Sequence, residues 1–201
     1  MNLETSSFSW SSHIKTAVSK ANRLLGLIRR TLGTDAPIQA KLLLYTSLVR
    51  SALSYASIIW HPNKEDIKLF EGVQRQATKY ILNDYTSDYK TRLSKCKLLP
   101  FCFYREINDL CFFYKCQHKF TNFNVDDIVS FYAPEFPRTR RSRQGLLLNT
   151  PVFNTVAAEH FYSSRIVKLW NDLPLAARSC YSDNKFIRSF KSSSIGIILP
   201  N

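Results

Sequence analysis

The stretch Lys41–Tyr80, KLLLYTSLVRSALSYASIIWHPNKEDIKLFEGVQRQATKY, constrains this chain more than any other. Its first half is apolar nearly all round: Leu42, Leu43, Leu44, Tyr45, Leu48, Val49, Ala52, Leu53, Tyr55, Ala56, Ile58 and Ile59. A helix without a polar face is normally buried on most sides, so this half is expected to form a central helix. Pro62 restricts His61 to extended backbone and ends that helix at a Trp60-His61-Pro62 corner, where Asn63 can cap the next one. The second half is two-faced. At about 100° per residue, Ile67, Phe70, Val73, Ala77 and Ile81 share one side. Lys64, Lys68, Arg75 and Lys79 fall within about 60° of one another on another side, a cationic stripe.

Helical periodicity extends on both sides of this hairpin. Ile14, Ala17, Val18, Ala21, Leu24, Leu25, Ile28 and Leu32 trace an apolar stripe, with Ser11 or Ser12 as expected N-cap and Gly33 as terminator. Lys15, Lys20, Arg23, Arg29 and Arg30 occupy the other faces of that helix. Asn83 to Thr91 reads as a loop, and Leu93 to Leu99 as a brief basic and apolar stretch. Pro100 opens a helix whose face carries Phe103, Ile107, Leu110, Cys111 and Tyr114. Residues 121–154 hold Pro134, Pro137, Pro151 and an Arg cluster, the pattern of a connector. A helix over Ala157 to Trp170 follows, and Ser182 can cap a last short one. With only 5 Gly and few strand-like alternations, the expected fold class is all-α: a helical array with a central buried hairpin, a long irregular connector and a small C-terminal helical unit. The expected division is 1–120, 121–154 and 155–201. Leu48, Tyr55, Trp60, Phe70, Val73 and Ile107 are expected to share one core.

Charge narrows the partners. The 201 residues hold 28 Lys and Arg against 15 Asp and Glu, a net charge of +13 that points to a polyanion such as nucleic acid, or less often to an anionic membrane surface. Clustered cations release counterions from each phosphate they neutralise, giving salt-sensitive affinity with little sequence preference. Two clusters qualify: the stripe Lys64, Lys68, Arg75 and Lys79, and Arg138, Arg140, Arg141 and Arg143 of the connector. The plain alternatives are a solvated helix face for the first and a solvated loop or nuclear-import signal for the second. No apolar run reaches the roughly 20 residues that span a bilayer, and a polar stretch follows Met1 where a signal peptide would be apolar. Five cysteines without paired spacing suit a reducing compartment, so an intracellular protein, nuclear or cytoplasmic, is expected, with no membrane partner.

Catalytic constellations are sparse. Asp126-Asp127 suggests the carboxylate pair of a two-metal site, but Asn124 stands at the aromatic position of such a turn and no strand offers a third acid. Two acids behind Asn124 as cap open a helical turn without any metal. Cys96, Cys102, Cys111 and Cys116, with His118, are spaced too widely and irregularly for a zinc knuckle. No Gly-rich phosphate loop is present, and His13 at a helix start is a cap or surface residue. No cofactor or metal is expected.

Several motifs together resemble a known family. LYTSLVRSALSYASIIWHP followed by IKLFEGVQRQATKYIL is similar to the region downstream of the polymerase palm in non-LTR (LINE-type, jockey-like) retrotransposon reverse transcriptases. Val49, Leu53, Tyr55, Ala56, Trp60 and Pro62 fill a pattern Leu/Val-x-x-x-Leu-x-Tyr-Ala-x-x-x-Trp-x-Pro, and Glu71, Gln74 and Arg75 fill Glu-x-x-Gln-Arg. Trp10, His13-Ile14 and Lys20-Ala21 match the family's Trp-x-x-His-Ile…Lys-Ala entry. Leu98-Leu99-Pro100 through Tyr114-Lys115 looks like its Leu-x-Leu-Pro-Leu…Tyr-Lys segment, although Arg105-Glu106 stands where two basic residues are usual. Trp170-Asn171-Asp172-Leu173-Pro174 matches Trp-Asn-x-Leu-Pro. The resemblance implies RNA-directed DNA polymerase ancestry, with this region holding the RNA and DNA of the template–primer duplex through phosphates. It places the polymerase aspartates upstream of Met1, so the chain alone is expected to be catalytically inert. A protein-interaction module derived from such an element is the rival expectation.

Overall fold

The computed structural model describes residues 10–131, 147–150 and 161–179. Of the described residues, 69% are helical and none lies in a strand, which makes the chain all-α. The one β-type pairing among them is an isolated antiparallel bridge between Phe131 and Leu148. Two compact units part between Tyr104 and Arg105. Most of the connector over 121–154, including its Arg cluster, and the final helix expected after Ser182 lie outside the described residues.

The first unit is built on α1 (Ser11–Leu32) and α4 (Lys64–Leu82). α1 buries Ile14, Ala21, Leu25 and Ile28, a stripe at helical spacing, and ends at Gly33, whose φ of 65° only glycine adopts without strain. No side chain caps its start. Trp10 holds the N-cap position, and Ser11, expected to cap, is helical and donates its hydroxyl to Asp66 (3.2 Å). α4 buries Phe70, Val73, Ala77 and Ile81, and Asn63 caps it by accepting from the Asp66 amide at 2.8 Å.

Between them runs the apolar segment, and here the structure corrects the sequence. α2 (Ile38–Leu44), a π-helical turn (Tyr45–Arg50) and α3 (Ser51–Ser54) follow one another, and the helix stops at Ser54 rather than running to Ile59. Tyr55 leaves it in extended backbone, Ala56 turns with φ of 53°, and the Trp60 indole N–H donates back to the Tyr55 carbonyl at 3.0 Å. Along this segment Thr46, Ser47, Ser51 and Ser54 each donate a hydroxyl to the carbonyl four residues back. The wider turn has a packing consequence. The buried residues Lys41, Tyr45, Val49 and Leu53 recur every four positions, where an α-helix would drift by about 40° at each step.

This helix therefore buries one face only. Leu43 (66% exposed), Leu48 (43%), Tyr55 (75%) and Ile59 (66%) stand outward, so the expectation of burial on most sides, and of Leu48 and Tyr55 in the core, is overturned. Trp60, Phe70 and Val73 do share the first unit's core; Ile107 is buried but belongs to the second unit. Aromatic rings run through that core in contact, from Trp10 to His13 to Trp60 to Phe70 to Phe101 to Tyr104, with centroids 5.0–6.3 Å apart.

A second correction concerns α5 (Tyr89–Cys96), which forms where a loop and a brief basic and apolar stretch were expected. Asp88 caps its start and Lys97, in left-handed backbone, ends it. The preceding turn is organised by Asp84, which accepts from the Thr86 and Ser87 amides and from Lys95. α6 (Phe101–Gln117) follows Pro100 as expected.

In the second unit the C-terminal part of α6, the short 3₁₀ turn Val125–Asp127, α7 (Tyr162–Asn171) and α8 (Leu175–Arg178) enclose a core of Leu110, Phe113, Tyr114, Ile166, Val167 and Trp170. Phe113 meets Trp170 edge-on at 4.8 Å. Asp109 and Arg165 form a buried ion pair at 3.1 Å, and Tyr162 donates its hydroxyl to the Asp109 carbonyl at 2.8 Å.

Candidate nucleic-acid interface

The amphipathic design of α4 decides what the cationic stripe can do. Because Phe70, Val73, Ala77 and Ile81 turn inward, Lys64, Lys68 and Arg75 are carried to the exposed side, and Lys79 is half-buried. Lys64 to Arg75 spans about 16 Å at 1.5 Å per residue, the reach of several phosphates along a strand. Lys68 also contacts Glu65 at 2.8 Å, but both side chains are mostly exposed and such a pair contributes little in water. Arg75 lies with its guanidinium 4.5 Å from the Tyr89 ring centroid, and the residue remains exposed. Arg138, Arg140, Arg141 and Arg143 lie outside the described residues.

Beneath the stripe, the same helix carries the residues that fill Glu-x-x-Gln-Arg, and two of them point inward. Glu71 accepts from the Phe101 amide (2.5 Å) and the Cys102 amide (3.4 Å), and from the Tyr89 hydroxyl. A carboxylate from α4 thus caps α6, thirty residues on, and meets the positive end of its dipole. Gln74 is fully buried; its Oε1 accepts from the Tyr45 hydroxyl and its Nε2 donates to Tyr89 and to the Leu99 carbonyl, all at 2.9–3.0 Å. Arg50 completes the network, donating to the Leu99 carbonyl at 3.2 Å with its guanidinium 3.8 Å from the Tyr104 ring centroid. Burial drives the Tyr45 and Tyr89 hydroxyls well above the ordinary tyrosine range, and for Tyr89 the Glu71 hydrogen bond adds to it. Burial lowers Arg50 against the opposing effect of Tyr45. None of this network was foreseen, since a lone Arg in an apolar run gives no signal of its partner.

The Trp-Asn-x-Leu-Pro signature is likewise structural. Asn171 accepts from the Leu148 amide and donates to the Leu148 carbonyl, both at 2.9 Å, which ties α7 to the C-terminal part of the connector. Trp170 is fully buried beside it.

The remaining candidates resolve plainly. Asn124 accepts from the Asp126 amide (3.4 Å) at the head of the 3₁₀ turn, as the capping reading expects, and both aspartates are exposed. Cys96 and Cys116 are buried, and Cys102 and Cys111 half-buried. Among the described residues no group of three or more His, Cys, Asp or Glu could hold a metal ion, and no helix is long and apolar enough to cross a membrane. His13 is exposed, its ring edge-on to Trp60 at 5.4 Å. No protein-family model, no curated protein and no solved structure matches the chain.

Proposed function

We propose that the chain is the post-palm region of a non-LTR retrotransposon reverse transcriptase and that it binds RNA and DNA through their phosphates, without catalysing polymerisation itself. The observation that carries the binding reading is the exposed row Lys64, Lys68 and Arg75 on a helix whose opposite face is locked into the core. A row on a packed helix loses little backbone freedom when a strand docks, and a net charge of +13 supplies long-range attraction. The family assignment is supported by the sequence motifs alone.

The test is fluorescence anisotropy with a labelled RNA–DNA hybrid over a salt series. Replacing Lys64, Lys68, Arg75 and Lys79 by Gln should weaken binding for every sequence and flatten the log–log salt slope by about 0.9 per lost contact. An unchanged slope with unchanged helicity would make the stripe a solvated face. A second reading, an interaction module derived from such an element, is favoured by the outward Leu43, Leu48, Tyr55 and Ile59. It predicts no nucleic-acid affinity.

A further inference from the structure

The face of α1 turned away from its core stripe carries a second set of cations that the α4 reading leaves unused. Lys15, Arg23 and Arg30 are exposed and, at about 100° per residue, fall within about 80° of one another. They line a groove of about 730 Å³, together with Asn22, Gly26 and Leu69 of α4. A hollow of about 480 Å³, lined by Ser12 and Thr16, adjoins it and shares Lys15, Ser19 and Arg23. Among the described residues no carboxylate lines either space and no ion pair involves the three cations. Gly26 keeps the floor open, the nearest atom to a Cβ there being an Arg30 nitrogen at 3.5 Å.

We propose that this groove is a second phosphate track, which holds one strand of the nucleic acid whose duplex the α4 stripe engages. The inference rests on the binding reading above. Lys15 to Arg23 and Arg23 to Arg30 are about 12 and 10.5 Å apart along the axis, so the row covers about 22 Å, or about six nucleotides of one strand at 3.4 Å each. Cations at near-even intervals in a groove without acids fit a ligand whose charge repeats evenly, and the Ser19 hydroxyl and Asn22 amide face the sugars between phosphates. Leu69 and Val18 give an apolar floor without an aromatic ring, which suits backbone contact rather than base stacking. A lipid surface fits less well, because the apolar face of α1, with Ile14, Ala21, Leu25 and Ile28, is buried in the core, and Leu27 is the single large apolar side chain that this helix exposes among the described residues.

Two Gln triple variants and one point variant of the full chain separate the possibilities, measured by anisotropy against a 20-nucleotide RNA strand and an RNA–DNA hybrid at several salt concentrations. The variant at Lys15, Arg23 and Arg30 should flatten the salt slope by about 2 to 3, from about 0.7 to 0.9 per contact. A control at Lys20, Lys90 and Lys97 removes the same charge elsewhere and should change it by less than about one. Gly26→Glu, which favours helix and sets a carboxylate among the cations, should weaken binding at least as much with helicity intact. Equal losses in the groove and control variants, or no loss in either, overturn the groove while the α4 variant still judges the binding reading. Failure of the wild-type chain to bind either nucleic acid overturns both. Competition by polyglutamate as effective as by RNA would make the groove a site for acidic protein and overturn it too.

Discussion

Glu71 offers the sharpest test of how the first unit is held together. Its carboxylate accepts from the amides that open α6 and from the Tyr89 hydroxyl, thirty and eighteen residues away. Truncation in Glu71→Ala removes a helix cap, worth about 1 kcal/mol, and strands at least one buried donor, which costs about 1–3 kcal/mol. The expected loss is about 2–4 kcal/mol, a fall in Tm of about 10–25 °C for a unit of this size. Glu71→Gln keeps one acceptor oxygen, so it can serve the Phe101 amide or Tyr89 but not both, and should lose about half as much. In a double-mutant cycle with Tyr89→Phe the two sites should couple by about 1 kcal/mol, measured by urea denaturation monitored by circular dichroism. Folded Glu71→Gln should still bind nucleic acid like wild type, because the carboxylate faces inward. A loss below about 0.5 kcal/mol for Glu71→Ala would refute the cap, since that is the range of an uninvolved surface position.

The other predictions are shorter. Arg165→Met leaves the Asp109 carboxylate buried without its partner and should destabilise the second unit by about 3–5 kcal/mol, whereas the paired change Asp109→Leu with Arg165→Met should recover much of that. In a Cys180→Ser background, a thiol reagent at pH 8 should label Cys102 and Cys111 well before Cys96 and Cys116. Burial pushes the Cys96 thiol up to about 11, so its contribution to stability is complete below pH 9 and is lost as pH rises through 11; Cys96→Ala should melt with less pH dependence over that window. Primer extension should be absent from the purified chain, and synthesis that vanished with Asp126→Ala would overturn the non-catalytic reading.

What the sequence revealed tracks the range of the physics involved. α4 was legible because Phe70, Val73, Ala77 and Ile81 repeat with the helical period against a polar remainder, and its cap Asn63 is a local signal. The same holds for Gly33 and Asn124. The segment before α4 was misread because nearly every residue in it is apolar. The four-residue repeat Lys41, Tyr45, Val49 and Leu53 is hidden in such a run, and the π turn that aligns it has no periodic signal of its own. α5 was missed for the opposite reason: it is short and mostly polar, and one of its three buried residues is Arg92. The inward partners of Glu71, Gln74, Arg50 and Asn171 are set by tertiary contacts 15 to 49 residues distant, beyond any periodicity.

The motifs that carry the resemblance divide by location, and that division separates ancestry from activity. Trp60, Pro62, Gln74 and Trp170 are buried, and Glu71 and Asn171 spend their polar groups on main-chain partners inside the fold. Selection on these residues would preserve a shape. The exposed cations Lys64 and Lys68 lie outside the motifs, and of the motif residues on α4 only Arg75 reaches the surface. A chain could therefore keep every matching residue and lose nucleic-acid binding, or lose a motif residue such as Glu71 and bind for as long as it stays folded. Substitutions at Lys64 and Lys68 should move affinity without moving Tm, and substitutions at Glu71 and Gln74 should move Tm without moving the affinity of the folded fraction. Measured side by side, the two sets assign the surface and the scaffold independently of where the chain came from.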